Sequence, residues 1–322
     1  MNRRHFLLTS GAVLAPRLAR AQPGSTTREE SVQTPALDIG YVESGPADGF
    51  PVILLHGFPD DVHAYDEVAP SLATKGLRVL VPYLRGYGRT HFRDANAPRM
   101  AEQAAIGQDV LDFADALKLP RFAVAGYDWG GRAAQVAAAL HPDRVRAGVF
   151  VAGYSIQDVF SAPRPSPPQV EAAFWYQWYF NTERGRAGLA QNRRALCKLL
   201  WQQWSPTWKF TDADYDKTAP SFDNPDFVDC VIHSYRHRNL NAKGDPRFDA
   251  VEHQLAQRPK IDVPSILIYG ADDGLARPSQ DDTADRALFP QLVDRRIVPG
   301  GHFLPRENPQ AFSTALLELL SK

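Results

Sequence analysis

The stretch Gly126-Tyr127-Asp128-Trp129-Gly130-Gly131 constrains this chain more than any other. It follows an apolar run, Phe122-Ala-Val-Ala125, and leads into the alanine-rich segment Arg132 to Leu140. The run reads as a strand buried on both faces, and the segment after it as a packed helix. A strand that enters a helix through Gly-x-X-x-Gly makes a tight turn, and the side chain at X stands above the sheet. Here X is Asp128. A carboxylate is ionised at neutral pH and can attack a carbon electrophile without first losing a proton. The resulting ester then has to be cleaved by an activated water.

The rest of the chain supplies the sheet. Leu37 to Glu43 alternates like an outer strand, and Pro51 to Leu55 is a continuous apolar run ending in His56-Gly57-Phe58-Pro59. A helix is expected around Tyr65 to Lys75, then a strand Leu77 to Val81, a glycine-rich loop Tyr83 to Thr90 and an amphipathic helix Ala101 to Leu119. After the central turn come a strand Val145 to Val151 and, much later, strands Ser265 to Tyr269 and Leu292 to Val298, with a last helix Pro309 to Leu320. Strands alternating with helices predict a doubly wound, mostly parallel α/β sheet. The alternation stops near Gly153. Prolines crowd Ser161 to Pro168, the aromatic run Phe174 to Phe180 follows, and the next seventy or so residues are helical in composition. We therefore expect a core made of residues 22–152 and 256–322, with a helical lid over 153–255 and a polar linker from Gln22 to Thr34.

The first 21 residues carry Arg3-Arg4, a short apolar segment to Leu14 and Ala19-Arg20-Ala21. They resemble a twin-arginine export signal, which implies a periplasmic enzyme cleaved after Ala21. Removing four arginines and no acids would shift the formal net charge from −1 to −5. A mildly acidic protein gives no reason to expect nucleic acid or an anionic membrane as partner. No later run is apolar and long enough to span a bilayer. Cys197 and Cys230 are the only cysteines, and we expect two separately buried thiols rather than a bridge. His233 and His237 share i, i+4 spacing, but no third ligand accompanies them, so no metal is expected.

Asp128, Asp273 and His302 occur in that order, each just after an expected strand. This resembles the α/β-hydrolase superfamily, whose nucleophile, acid and base stand at the carboxyl ends of strands. The acid is placed on Asp273 rather than Asp272, three residues beyond Gly270. The resemblance makes His56-Gly57-Phe58-Pro59 an oxyanion loop, with the backbone N–H groups of Phe58 and Trp129 facing the ester carbonyl. An Asp nucleophile narrows the superfamily to epoxide hydrolases and to haloalkane and haloacetate dehalogenases. Epoxide hydrolases carry two lid tyrosines that protonate the leaving alkoxide. One lies in Phe-x-Tyr-Gln-x-Tyr-Phe, matched by Phe174 to Phe180 and placing the role on Tyr176; the other lies in a Tyr-Arg pair, matched by Tyr235-Arg236. Phe58, Trp129 and Trp178 are the expected substrate contacts.

Haloacetate dehalogenases follow their nucleophile with Arg and place another Arg three positions on. Here Trp129 takes the first place and only Arg132 remains, while Gln177 precedes Trp178 where those enzymes have His. Haloalkane dehalogenases usually have a polar residue where Phe58 stands. The chain departs from the epoxide hydrolase pattern at Tyr83, usually Asp, at Tyr127, often His, and at His237, usually Asn. The resemblance thus implies an enzyme that opens a small, apolar to moderately polar epoxide to a diol with no cofactor. A dehalogenase and a catalytically silent ligand binder on the same fold are the alternatives.

Overall fold

The computed structural model describes residues 27–321, so the export-like segment lies outside the described residues. The first half of the chain runs β1 Arg28–Gln33, β2 Leu37–Ser44, β3 Pro51–Leu55, α1 Val68–Ala73, β4 Arg78–Pro82, β5 His91–Phe92, α2 Gln103–Ala116, β6 Phe122–Gly126, α3 Asp128–Leu140 and β7 Val145–Val151. A helical stretch follows: α4 Pro168–Ala173, α5 Trp175–Phe180, α6 Glu183–Trp204, α7 Asp212–Thr218, α8 Phe227–Arg238 and α9 Asp249–Ala256. The chain returns to the sheet with β8 Ser265–Gly270, α10 Thr283–Leu288, β9 Leu292–Val298, α11 Leu304–Glu307 and α12 Pro309–Leu320.

The strands form one sheet in the order β1-β2-β4-β3-β6-β7-β8-β9, with the short β5 beside β2. From β4 to β9 the neighbours are parallel; β1, β2 and β5 are antiparallel additions at one edge. β3, β6, β7 and β8 are buried along almost their whole length, which accounts for their unbroken apolar runs. Registers such as Leu55↔Gly126 and Gly270↔Val298 bring the carboxyl ends of these strands to one rim. Asp128, Asp273 and His302 all leave from that rim.

Three details differ from the sequence expectation. The stretch taken as a linker contains β1, whose residues are nearly all exposed. An outer strand with both faces in water carries no apolar alternation, and its charges suit an open edge. The helix expected from Tyr65 to Lys75 divides into a 3₁₀ turn, Val62–Tyr65, and α1. α3 starts at Asp128 itself, four residues before its alanine-rich pattern becomes regular. Cys197 and Cys230 are both free and buried. Among the described residues no helix is long and apolar enough to cross a membrane.

Candidate active site

The turn that carries Asp128 is made possible by close backbone approach. A Cβ on Gly130 would lie 2.2 Å from the Leu55 carbonyl oxygen, so only glycine lets α3 start against β3. Asp128 has φ 48°, the left-handed region, in which Asp is better tolerated than most side chains. That conformation and the helix start aim its carboxylate at the strand rim, where the helix dipole favours an anion.

The two carboxylate oxygens have different surroundings. Oδ1 accepts the backbone N–H of Phe58 at 2.8 Å and of Trp129 at 2.6 Å. Oδ2 faces His302 Nε2 at 3.7 Å, an ion-pair distance rather than a hydrogen bond. Burial opposes the Asp128 charge, but the His302 imidazolium, with Arg132 and Arg238, outweighs it and holds the carboxyl below its usual range. Asp128 is therefore an ion with one oxygen held and one free.

His302 is buried, and its Nδ1 meets Asp273 Oδ2 at 3.1 Å. Burial disfavours the imidazolium, yet Asp273 and then Asp128 reverse this and raise its pKa well above the ordinary imidazole value. Asp273 is aimed by its other oxygen, which accepts the N–H groups of Leu275 at 2.7 Å and Ala276 at 3.0 Å. Asp272 is exposed, and among the described residues its carboxylate has only a long 3.5 Å contact from the Thr207 hydroxyl. The end of α6 braces the histidine: Ser205 Oγ accepts the His302 N–H at 2.9 Å and donates to Glu307 at 2.5 Å. Asp273→Ala should therefore lower turnover roughly a hundredfold or more, chiefly in the water step, because the imidazole loses its orientation and charge partner. Asp272→Ala should leave steady-state rates unchanged within about threefold, as exposed side chains without strong contacts usually do. The reverse ranking would reassign the acid.

Tyr176 and Tyr235 meet over this rim. Tyr176, on α5, and Tyr235, on α8, are fully buried, with ring centroids 5.3 Å apart at 88°. Gln177 Nε2 donates to the Tyr176 hydroxyl and Trp129 Nε1 to that of Tyr235, both at 3.2 Å. Each phenol oxygen thus already accepts a bond, which leaves its own proton free for another acceptor. Burial, reinforced by the Asp128 charge at Tyr176 and by Tyr176 at Tyr235, pushes both above the ordinary phenol range. Both are neutral donors at pH 7.

A cavity of about 850 Å³ opens in front of these groups, with Asp128, His302, Tyr176 and Trp178 among its walls. Trp178 is half exposed at 44 %. The rings of Phe58 and Trp129, expected as substrate contacts, lie fully buried behind the tyrosines, stacked with centroids 5.7 Å apart. Their large faces are used in packing, and their backbone N–H groups, with the Trp129 indole, reach the site.

Sequence reasoning missed the support beneath the turn. Tyr127 donates to Asp60 Oδ2 at 2.5 Å, and Arg306 forks onto the same carboxylate at 2.9 and 2.5 Å while also reaching Thr218 Oγ1 at 2.6 Å. This network joins the Asp128 turn, the Phe58 loop, the His302 loop and α7. It also explains why Tyr127 is tolerated at its position. His56 is buried and its pKa falls to about 4, mainly through burial. Its Nε2 accepts the Leu84 N–H at 3.0 Å, so Nδ1 carries the proton and donates to Gly57 O at 3.0 Å, bracing the Phe58 loop. His233 is likewise hydrogen-bonded, to Ala101 N and Lys243 O, and among the described residues no cluster suited to a metal occurs.

This geometry defines a hydrolase-type site on an α/β sheet, and the α/β hydrolase fold family model matches residues 51–309. The chain belongs to that family. Within it, the chain is 36% identical to epoxide hydrolase B of Mycobacterium tuberculosis, over 88% of this chain and 95% of that protein. It is 29% identical to an epoxide hydrolase of Caballeronia sordidicola, covering 91% and 93% of the two chains. A crystal structure of an epoxide hydrolase candidate from Klebsiella pneumoniae superposes with TM-score 0.89 at 44% identity, covering 92% of this chain and 98% of that one. The chain is thus an enzyme of the epoxide hydrolase-like group of α/β hydrolases.

Proposed function

We propose that this enzyme hydrolyses epoxides to diols through an ester on Asp128. Asp128 Oδ2, the oxygen not held by backbone donors, attacks a ring carbon and breaks its C–O bond. The departing oxygen is a strong base and takes a proton from Tyr176 or Tyr235, whose hydroxyl protons are free. Oδ1 is then the ester carbonyl oxygen, already between the N–H groups of Phe58 and Trp129. Ester formation removes the anion facing His302 Nε2, so the imidazolium loses part of what kept it charged. Its proton neutralises the tyrosinate by way of solvent, and the neutral imidazole becomes the base for the second step. It removes a proton from water as the water oxygen attacks Cγ. The two N–H donors stabilise the charge developing on Oδ1; collapse breaks the Cγ–Oδ2 bond, and the departing oxygen, the former Oδ2, takes the proton given up by the new carboxyl, leaving the diol and the Asp128 carboxylate.

The division of labour between Oδ1 and Oδ2 carries this reading. The paired tyrosines favour an epoxide over an organohalide, because a halide leaves without needing a proton. A silent binder would have no use for an ionised Asp128 beside a charged His302. The test is a single turnover in ¹⁸O-labelled water with enzyme in excess of styrene oxide. The diol should be unlabelled and the peptide containing Asp128 should gain one heavy oxygen. Label in the diol on the first turnover would mean direct attack by water and would overturn the ester scheme.

A further inference from the structure

Two arginines in the cavity wall help to keep Asp128 ionised but make no hydrogen bond to it or to the tyrosine hydroxyls. Arg132 lies one helical turn after Asp128 on α3, and Arg238 lies one turn after Tyr235 on α8. Residues three and four apart share a helix face, so one guanidinium flanks the nucleophile and the other a proton donor. Both line the same cavity as Asp128 and His302.

Neither is held in an ion pair among the described residues. Arg132 is only 8% exposed, and its one hydrogen bond within the described chain runs from Nε to the Ser155 carbonyl at 2.8 Å. Four of its five N–H groups are therefore unused. Arg238 makes a single long contact, to Ser234 Oγ at 3.4 Å, and stacks its guanidinium over the rings of Tyr235 at 4.5 Å and Trp129 at 5.6 Å. Among the described residues neither has a carboxylate within the 4.0 Å of an ion pair. The other deeply placed arginines do: Arg85 forks onto Asp109 and Arg306 onto Asp60. The remaining acids of the cavity wall serve their own turns, Asp158 capping Phe160 N and Glu171 accepting from Ser166 N. Buried charges are ordinarily paired, and here burial and mutual repulsion press on Arg132, lowering its pKa to about 9, still protonated at neutral pH. Ser155, also in the wall, adds a buried hydroxyl with no partner.

We propose that Arg132 and Arg238 form an anion subsite beside Asp128, and that the preferred substrates are oxiranes carrying a carboxylate a few bonds from the ring. The proposal rests on the epoxide reading for its oxirane and on the two guanidiniums for its anion. A carboxylate is planar and accepts paired N–H donors, which suits the unused edge of a guanidinium. The subsite also answers an electrostatic difficulty, since a carboxylate brought within one helical turn of the anionic Asp128 is repelled unless cations offset it. A neutral epoxide carries no charge for either arginine to offset.

Glycidate and glycidamide make a matched test, because they differ only in carboxylate against carboxamide. For the unmodified enzyme kcat/KM should favour glycidate, and Arg132→Gln or Arg238→Gln should each reduce that preference roughly 10- to 100-fold, the range for a hydrogen bond to a desolvated charge. Arg132→Lys should keep part of it. Because the readout is a ratio, a general loss of fold or activity does not move it. A ratio near one in the unmodified enzyme, or one that both Gln variants leave unchanged, overturns the subsite. Titration calorimetry with the products, glycerate against glyceramide, tests the anion separately from turnover. Arg132-dependent preference for glycerate with no epoxide hydrolysed, styrene oxide included, would uphold the subsite and overturn the epoxide reading. Equal binding of the two products alongside turnover of styrene oxide would do the opposite.

Discussion

Asp128→Asn should reduce epoxide turnover by roughly four orders of magnitude or more, the scale seen when a catalytic nucleophile is removed. The amide oxygen is neutral and a poor nucleophile, and in the hole between Phe58 N and Trp129 N it would take the place of Oδ1. The amide nitrogen would then stand in the place of Oδ2, the oxygen proposed to attack. The substitution also removes the anion facing His302 Nε2 at 3.7 Å, so the imidazole loses one of the two charges that keep it protonated. The fold should survive, because Asn adopts the φ of 48° at this position at least as readily as Asp. The measurement pairs initial rates on styrene oxide with thermal melting at a fixed pH. A melting temperature within a few degrees of the parent and no covalent mass after incubation with epoxide is the expected pair of results. Turnover within tenfold of the parent would exclude Asp128 as the nucleophile.

What was legible in the sequence divides along physical lines. β3, β6, β7 and β8 could be read because a strand buried on both faces has to be apolar throughout. β1 could not, since an exposed edge strand and a linker have the same composition. Asp128, Asp273 and His302 were legible because each follows a readable strand, and the structure brings them into one chain of contacts. The supports were not. Asp60, Arg306 and Thr218 are far apart in sequence and meet only after the Phe58 loop, α7 and α11 have packed together. Nor does a pattern of residue types say which indole or amide will hold a phenol, so the bonds from Trp129 to Tyr235 and from Gln177 to Tyr176 had to be seen. Arg238 left one faint signal, its place three residues after Tyr235 on the same helix. That no carboxylate among the described residues pairs with it is a property of the folded cavity alone.

Tyr176 and Tyr235 separate epoxide opening from displacement of halide most sharply. Changing both to Phe should slow ester formation from an epoxide by roughly two to four orders of magnitude, the usual contribution of a positioned general acid. Each single change should cost less, because the phenols are neighbours with centroids 5.3 Å apart and the one that remains can still donate. Tyr176 lines the cavity directly, whereas Tyr235 packs against it with its hydroxyl held by the Trp129 indole. Tyr176→Phe should therefore be the more damaging single change. Phe retains the ring, and these rings pack tightly, Tyr176 against Trp204 at 4.9 Å and Tyr235 against Phe58 at 5.4 Å. The cost to stability falls mainly on the buried Trp129 Nε1, left without an acceptor at about 1–3 kcal/mol, since Gln177 Nε2 lies on the open cavity and can turn to water. Rapid-quench measurement of ester formation isolates the alkylation step from the hydrolysis that follows. A double variant that alkylates from an epoxide within tenfold of the parent rate would remove the tyrosines from the mechanism. Halide release from an organohalide at a rate indifferent to both substitutions, with no epoxide opened by the parent enzyme, would identify a dehalogenase instead.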